Sequence, residues 1–136
     1  MMLVGEHLRH NARRFPGKTA LIDGRTRIGY ADLNALANRI AHGLAADGVA
    51  RGDRVAILAD ARIEWVAAYL GIVKLGAVAV PCNYRQTPAE VGHTVADSGS
   101  RILFATLELR DALGGTLEVG RTVLLDDAGP DGLEAL

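Results

Sequence analysis

The chain has a single cysteine, Cys82, so no internal disulfide can form and the expected setting is a reducing compartment, the cytoplasm. Excess charge is also missing. Lys plus Arg number 15 against 16 for Asp plus Glu, a formal net charge of −1, so no broad field exists to draw nucleic acid or an anionic membrane. Neither G-x-x-x-x-G-K-[ST] nor G-x-G-x-x-G occurs, which removes the two commonest phosphate-cradling signatures. No cysteine or carboxylate cluster accompanies His7, His10, His42 or His93 at ligand spacing, so these read as solvated helix surface rather than a metal site. Long apolar runs are absent too. The opening segment is broken by His7, Arg9, His10, Arg13 and Arg14, so secretion is not expected. The stretch from Trp65 to Pro81 is interrupted by Lys74 and two glycines and falls short of the ~20 residues of a membrane span, so no transmembrane segment is expected.

What is present is a chain of 136 residues, 49% of them apolar, enough for one compact domain with its own core. Leu3, Val4, Leu8 and Ala12 recur at helical spacing before Pro16-Gly17. Thr19 to Asp23 and Thr26 to Tyr30 flank Gly24-Arg25 as a β-hairpin would. Leu33, Leu36, Ala37, Ile40, Ala41 and Leu44 mark a helix over about 31–47, with Gly48 placed as a left-handed cap. Asp53 to Ala59 has the continuous apolar character of a strand covered on both faces. A helix over about 61–75 is expected to open on Asp60 as N-cap and to close at Gly76. Ala77 to Pro81 reads as another buried strand.

Thr87-Pro88-Ala89-Glu90 combines a cap residue, proline at the first helical position and glutamate at the third, so a helix starts there and runs to about Ser98. Arg101 to Ala105 and Arg121 to about Leu125 complete four strands, with a short helix over 107–113 between them. Strands alternating with helices at this spacing imply an α/β fold: a mostly parallel sheet with helices on both faces. The division expected is a subdomain over 1–126 and a frayed acidic tail over 127–136. Asp53 and Arg54, just before a strand, read as ordinary surface charge, and Trp65 and Tyr69 as packing or subdomain contact.

Arg27-Ile-Gly-Tyr-Ala-Asp-Leu33 with Ala37-Asn38, then Gly48-Val49 and Gly52-Asp53-Arg54-Val55-Ala56, resembles the opening of AMP-forming acyl-CoA ligases. Lys74-Leu-Gly-Ala-Val-Ala-Val-Pro81, Asn83-Tyr84-Arg85, Glu90, Asp97-Ser98 and Arg101-Ile-Leu-Phe104 are similar to that family's next block. The blocks keep their order over roughly residues 5 to 126. Within them, Pro81, Asn83 and Arg85 with Asp97-Ser98-Gly99 are most similar to bacterial fatty-acyl-CoA ligases. Gly29 and Ala61-Arg62 depart from the pattern, where most relatives carry threonine and a small polar pair. The resemblance implies the N-terminal subdomain of the adenylate-forming enzyme fold. It also implies a reaction in which a carboxylate attacks the α-phosphorus of ATP and a thiol then displaces AMP.

In relatives that chemistry rests on a Ser/Thr/Gly-rich loop ending in Pro-Lys-Gly, an aromatic-Thr-Glu segment near Mg²⁺, a ribose-binding Asp and a late lysine; none of these occurs here. ATP, Mg²⁺ and CoA are therefore expected of the parent enzyme and not of this segment alone. The chain by itself is expected to be inactive and to carry no catalytic residue. Asn83 and Arg85, at the carboxyl end of a parallel strand, are the candidate substrate-binding residues. The structural alternative is that Asn83 shapes the turn and Arg85 pairs with a carboxylate such as Glu90. The expected partner is the remainder of the ligase large domain, or another copy of the chain through apolar residues including Trp65 and Tyr69 and the last strand's edge. The competing readings are a free-standing scaffold or binding module of the same fold and a small Rossmann-like nucleotide-binding domain.

Overall fold

In the computed structural model, which describes residues 2–115 and 117–136, an amphipathic helix α1 (Val4–Arg14) leads into a hairpin of β1 (Thr19–Asp23) and β2 (Thr26–Gly29). The hairpin is antiparallel, with Asp23 opposite Thr26. Helix α2 (Tyr30–Ala46) follows and ends as its sequence requires: Gly48 has φ +81°, and Val49 donates to Leu44 O at 2.9 Å.

Four strands then form one parallel sheet in the order β4-β3-β5-β6: β3 (Arg54–Leu58), β4 (Val78–Cys82), β5 (Ile102–Ala105) and β6 (Arg121–Leu124). Helix α3 (Ile63–Leu75) connects β3 to β4, α4 (Pro88–Ser98) connects β4 to β5, and the short α5 (Leu107–Ala112) lies between β5 and β6.

The period of two along the strands sorts the core into two layers. Val55, Ile57, Ile102, Phe104 and Val123 face α2 and α3, with α1 and the hairpin packed behind them. Ala56, Leu58, Leu103 and Ala105 face α4 through Val91 and Val95, and meet Leu113 after α5. Helices therefore cover both faces, as the alternating pattern predicts. The cap over Thr87 also forms: Glu90 N–H bonds Thr87 Oγ1 at 3.4 Å and Thr87 N–H bonds Glu90 Oε2 at 2.8 Å, with Pro88 first in α4.

Four expectations change. β4 is an edge strand, not a buried one: Val78 and Pro81 are exposed, and Pro81 is tolerated there because an edge needs no outward N–H. Helix α3 opens on Arg62 instead of Asp60, two residues later than predicted, and Asp60 accepts from Arg62 Nε instead of capping the helix. The tail is docked rather than frayed. Leu124 N–H bonds Asp131 O at 2.7 Å, a 3-10 turn spans Leu133–Ala135, and Leu133 and Leu136 pack on the core. Finally, Asp53 and Arg54 are not free surface charge. Asp53 Oδ2 accepts from Arg101 Nη1 and from Ala50 N–H, both at 2.9 Å, and Arg54 Nε donates to Ser98 O at 2.7 Å.

Candidate functional site

In an open parallel sheet, ligands bind beyond the carboxyl ends of the strands, where adjacent strands send their connections in opposite lateral directions. Here β3 connects outward through α3 to β4, while its neighbour β5 connects through α5 to β6 on the other side. The switch point therefore falls between β3 and β5. The loops that rim it begin at Ala59, Thr106 and Leu125, directly after apolar runs whose burial holds them in place.

These loops bring together residues that sequence reasoning did not assign to a site. Arg62 Nε donates to Asp60 Oδ1 at 3.0 Å, and Arg62 Nη1 stands 4.0 Å from Asp126 Oδ2. Asp126 Oδ1 in turn accepts the Leu107 N–H at 2.8 Å, so the carboxylate after β6 caps the start of α5. Thr106, buried just after β5, accepts from Leu109 N–H at 3.4 Å. The signal available in the sequence was position: each residue lies within four residues of the carboxyl end of a strand. What the sequence could not supply was the lateral strand order that makes those ends neighbours.

Asn83 and Arg85 lie elsewhere. They follow β4, at the sheet edge, one strand removed from the switch point. Asn83 Oδ1 accepts from Arg85 N–H at 2.9 Å and Gln86 N–H bonds Asn83 O at 3.0 Å, so Asn83 organises the turn. The exposed Arg85 guanidinium lies 5.6 Å from the centroid of the Tyr84 ring. Glu90 is engaged by Thr87, and among the described residues Arg85 makes no ion pair.

The remaining candidates are structural. Cys82 is buried, and burial pushes its thiol pKa up, away from the reactive thiolate. The four histidines are exposed on helices. Trp65 and Tyr69 stack with centroids 5.7 Å apart and half-bury themselves against the α2–α3 core; among the described residues the most exposed large apolar side chains are instead Leu3, Ile22 and Val4.

Among the described residues no three His, Cys, Asp or Glu side chains converge as a metal site requires. Arg62, the cation of these loops among the described residues named above, is engaged by Asp60 and faces Asp126. Among the described residues no helix is long and apolar enough to cross a membrane.

Comparison with known proteins agrees with the sheet and its order of elements. The profile of the family described as AMP-binding enzyme matches residues 8–135. The chain is 44% identical over 105 residues to the long-chain-fatty-acid–CoA ligase FadD13 of Mycobacterium tuberculosis, covering 76% of this chain and 21% of that protein. It is 39% identical over 97 residues to a 3-hydroxybenzoate–CoA ligase of an Aromatoleum species, covering 71% of this chain and 18% of that one. Among solved structures, the N-terminal domain of FACL13 from Mycobacterium tuberculosis superposes with a TM-score of 0.87 at 35% identity, covering 99% of this chain and 36% of that chain. A putative long-chain-fatty-acid CoA ligase of Rhodopseudomonas palustris gives a TM-score of 0.88 at 31% identity, with 98% and 36% covered. The chain thus spans about a fifth of the length of the curated relatives it matches.

Proposed function

The chain belongs to the AMP-binding enzyme family, and from that premise we propose that it is the N-terminal portion of an ATP-dependent, AMP-forming fatty-acyl-CoA ligase. The observation that supports this best is a family match running almost the whole length of the chain, joined to a parallel sheet with the same succession of elements. In the reaction proposed for the whole enzyme, a fatty-acid carboxylate oxygen bonds to the α-phosphorus of ATP as pyrophosphate leaves. The thiol sulfur of CoA then bonds to the acyl carbon as AMP leaves. ATP, Mg²⁺ and CoA belong to that whole enzyme.

The part played by these 136 residues is to frame the site. The loops after β3, β5 and β6 form one wall of the crevice. Arg85, exposed on the turn that Asn83 organises at the sheet edge, is proposed to meet an anionic group of a substrate. Both stages move negative charge, and stabilising it requires groups this segment does not carry. Alone, the chain is proposed to be inactive, with the remainder of the large domain as its partner and the cytoplasm as its compartment.

The test is fatty-acid-dependent exchange of labelled pyrophosphate into ATP. The 136-residue chain is expected to stay at the no-protein blank, and exchange above it overturns the inactive-alone reading. The product of the full reading frame is expected to exchange. A stop codon after Leu136 favours a free-standing scaffold of the same fold instead.

A further inference from the structure

Arg62 breaks two local rules at once. It occupies the N-cap of α3, where a short oxygen-bearing side chain is favoured, and makes no cap bond there. It also places a cation at the positive end of a helix dipole. Where a residue defeats local propensity, the compensating interaction is to be sought elsewhere in the fold.

The compensation runs along the carboxyl edge of the sheet. Arg62 Nε holds Asp60 Oδ1 at 3.0 Å within its own loop, and Nη1 stands 4.0 Å from Asp126 Oδ2 in the loop after β6. Asp126 uses its other oxygen to accept the Leu107 N–H at the start of α5, and Leu125 N–H bonds Ala105 O at 2.9 Å. The side chains of Arg62 and Asp126 are only 24% and 33% exposed, so the pair is partly shielded from solvent. No other ion pair among the described residues crosses this edge.

We propose that Asp60, Arg62 and Asp126 form an ion-pair clamp that makes the loops after β3, β5 and β6 move as one body around the switch-point crevice. Arg62 is the positioning residue, acting through Asp126 on the start of α5. The proposal concerns the motion of this chain's own loops and holds whatever reaction the whole protein performs.

The clamp and a merely local role for Arg62 predict opposite behaviour in Arg62→Ser. Serine is a better N-cap than arginine, so the amides of Glu64 and Trp65 at the start of α3 should exchange with solvent no faster than in the wild type. The Leu107 amide, in contrast, should exchange about two- to fivefold faster, the range a partly exposed ion pair can govern. Hydrogen exchange followed by NMR on the 136-residue chain reads both, with the Val91 amide, bonded to Thr87 O far from the clamp, as internal reference. A further arm needs no variant. Raising salt from about 0.01 M to about 1 M shortens the Debye length from ~30 to ~3 Å and should speed Leu107 relative to Val91 in the wild type but not in Arg62→Ser. Equal Leu107 exchange in both proteins at low salt, or no salt response in the wild type, overturns the clamp.

Discussion

Gly71 of α3 and Ile40 of α2 sit so close that a β-carbon built on the glycine would lie 2.6 Å from Ile40 Cγ2 and 3.0 Å from Ala37 O. Glycine here is what lets the two helices meet, with Ile40 only 1% exposed at the contact. Replacing Gly71 by alanine sets two effects against each other. Helix propensity favours alanine by about 0.8–1 kcal/mol. Overpacking against a buried β-branched side chain and a backbone oxygen costs about 1–3 kcal/mol. Gly71→Ala is therefore expected to lower stability in urea unfolding. Gly92 of α4, whose β-carbon would meet nothing within 4 Å, is the control: Gly92→Ala should raise stability by about 0.5–1 kcal/mol. A Gly71→Ala variant as stable as Gly92→Ala would show that the α2–α3 approach is looser than described.

Thr87 supplies both halves of its cap, accepting from Glu90 N–H and donating its own N–H to Glu90 Oε2. Thr87→Ala removes the hydroxyl and keeps the backbone bond to the glutamate. The expected loss is about 1 kcal/mol, read as a lower urea midpoint at unchanged m-value. Thr87→Ser should restore most of it.

Acid should weaken the fold through two carboxylates. The Ala50 backbone N–H first, then the Arg101 guanidinium, hold Asp53 below the usual aspartate range. The Thr87 backbone N–H first, then its hydroxyl, lower Glu90. A carboxyl with a depressed folded pKa contributes stability that is full above its unfolded value, about 4, and lost as pH falls through the folded value. Urea midpoints should thus be flat near neutrality and fall below about pH 4, and Asp53→Asn with Glu90→Gln should flatten that fall. An unchanged acid limb in the double variant would assign the loss to other groups.

Most of the elements could be read from the chain because they depend on near neighbours. The Leu33 to Leu44 spacing specifies α2, and Thr87, Pro88 and Glu90 specify the start of α4, within one or two turns of sequence. The misreadings concern relations between distant residues. That β4 lies outside β3, at the sheet edge, depends on lateral order, which periodicity does not encode. Asp60 has the better propensity for capping α3 but accepts from Arg62, whose other neighbour is 64 positions away at Asp126. The tail looked polar and unstructured because its anchor, Leu136 against Gly43, joins residues 93 apart. The candidate site was half legible for the same reason: the strand ends were visible, their adjacency was not.

Lys74 offers a test of the opposite sign at alkaline pH. Its ammonium donates to Asn34 Oδ1 at 2.6 Å and to Asn38 Oδ1 at 2.7 Å, bridging α3 to α2 beside α1. Both acceptors are uncharged. Burial is the larger influence and the Arg9 charge the smaller, and together they lower the lysine's pKa. A folded pKa below the unfolded value of about 10.4 means that the unfolded chain binds more protons between the two, so this group makes stability rise with pH across that window. Lys74→Met keeps the aliphatic stem that packs near Gly5 and removes the titration. The hydrogen bonds lost go to half-buried or exposed amide oxygens that water can serve, so the variant should lie within about 1 kcal/mol of the wild type at neutral pH. As pH approaches 10, the wild type should gain stability relative to Lys74→Met, because the burial penalty on its charge is relieved while the neutral amine still donates. Denaturant unfolding of both proteins at about pH 7 and about pH 10 decides it, the latter chosen to lie just below the unfolded lysine value. A wild type that loses ground to the methionine variant on alkalinisation would mean that the two asparagine oxygens stabilise the ammonium by more than burial opposes it.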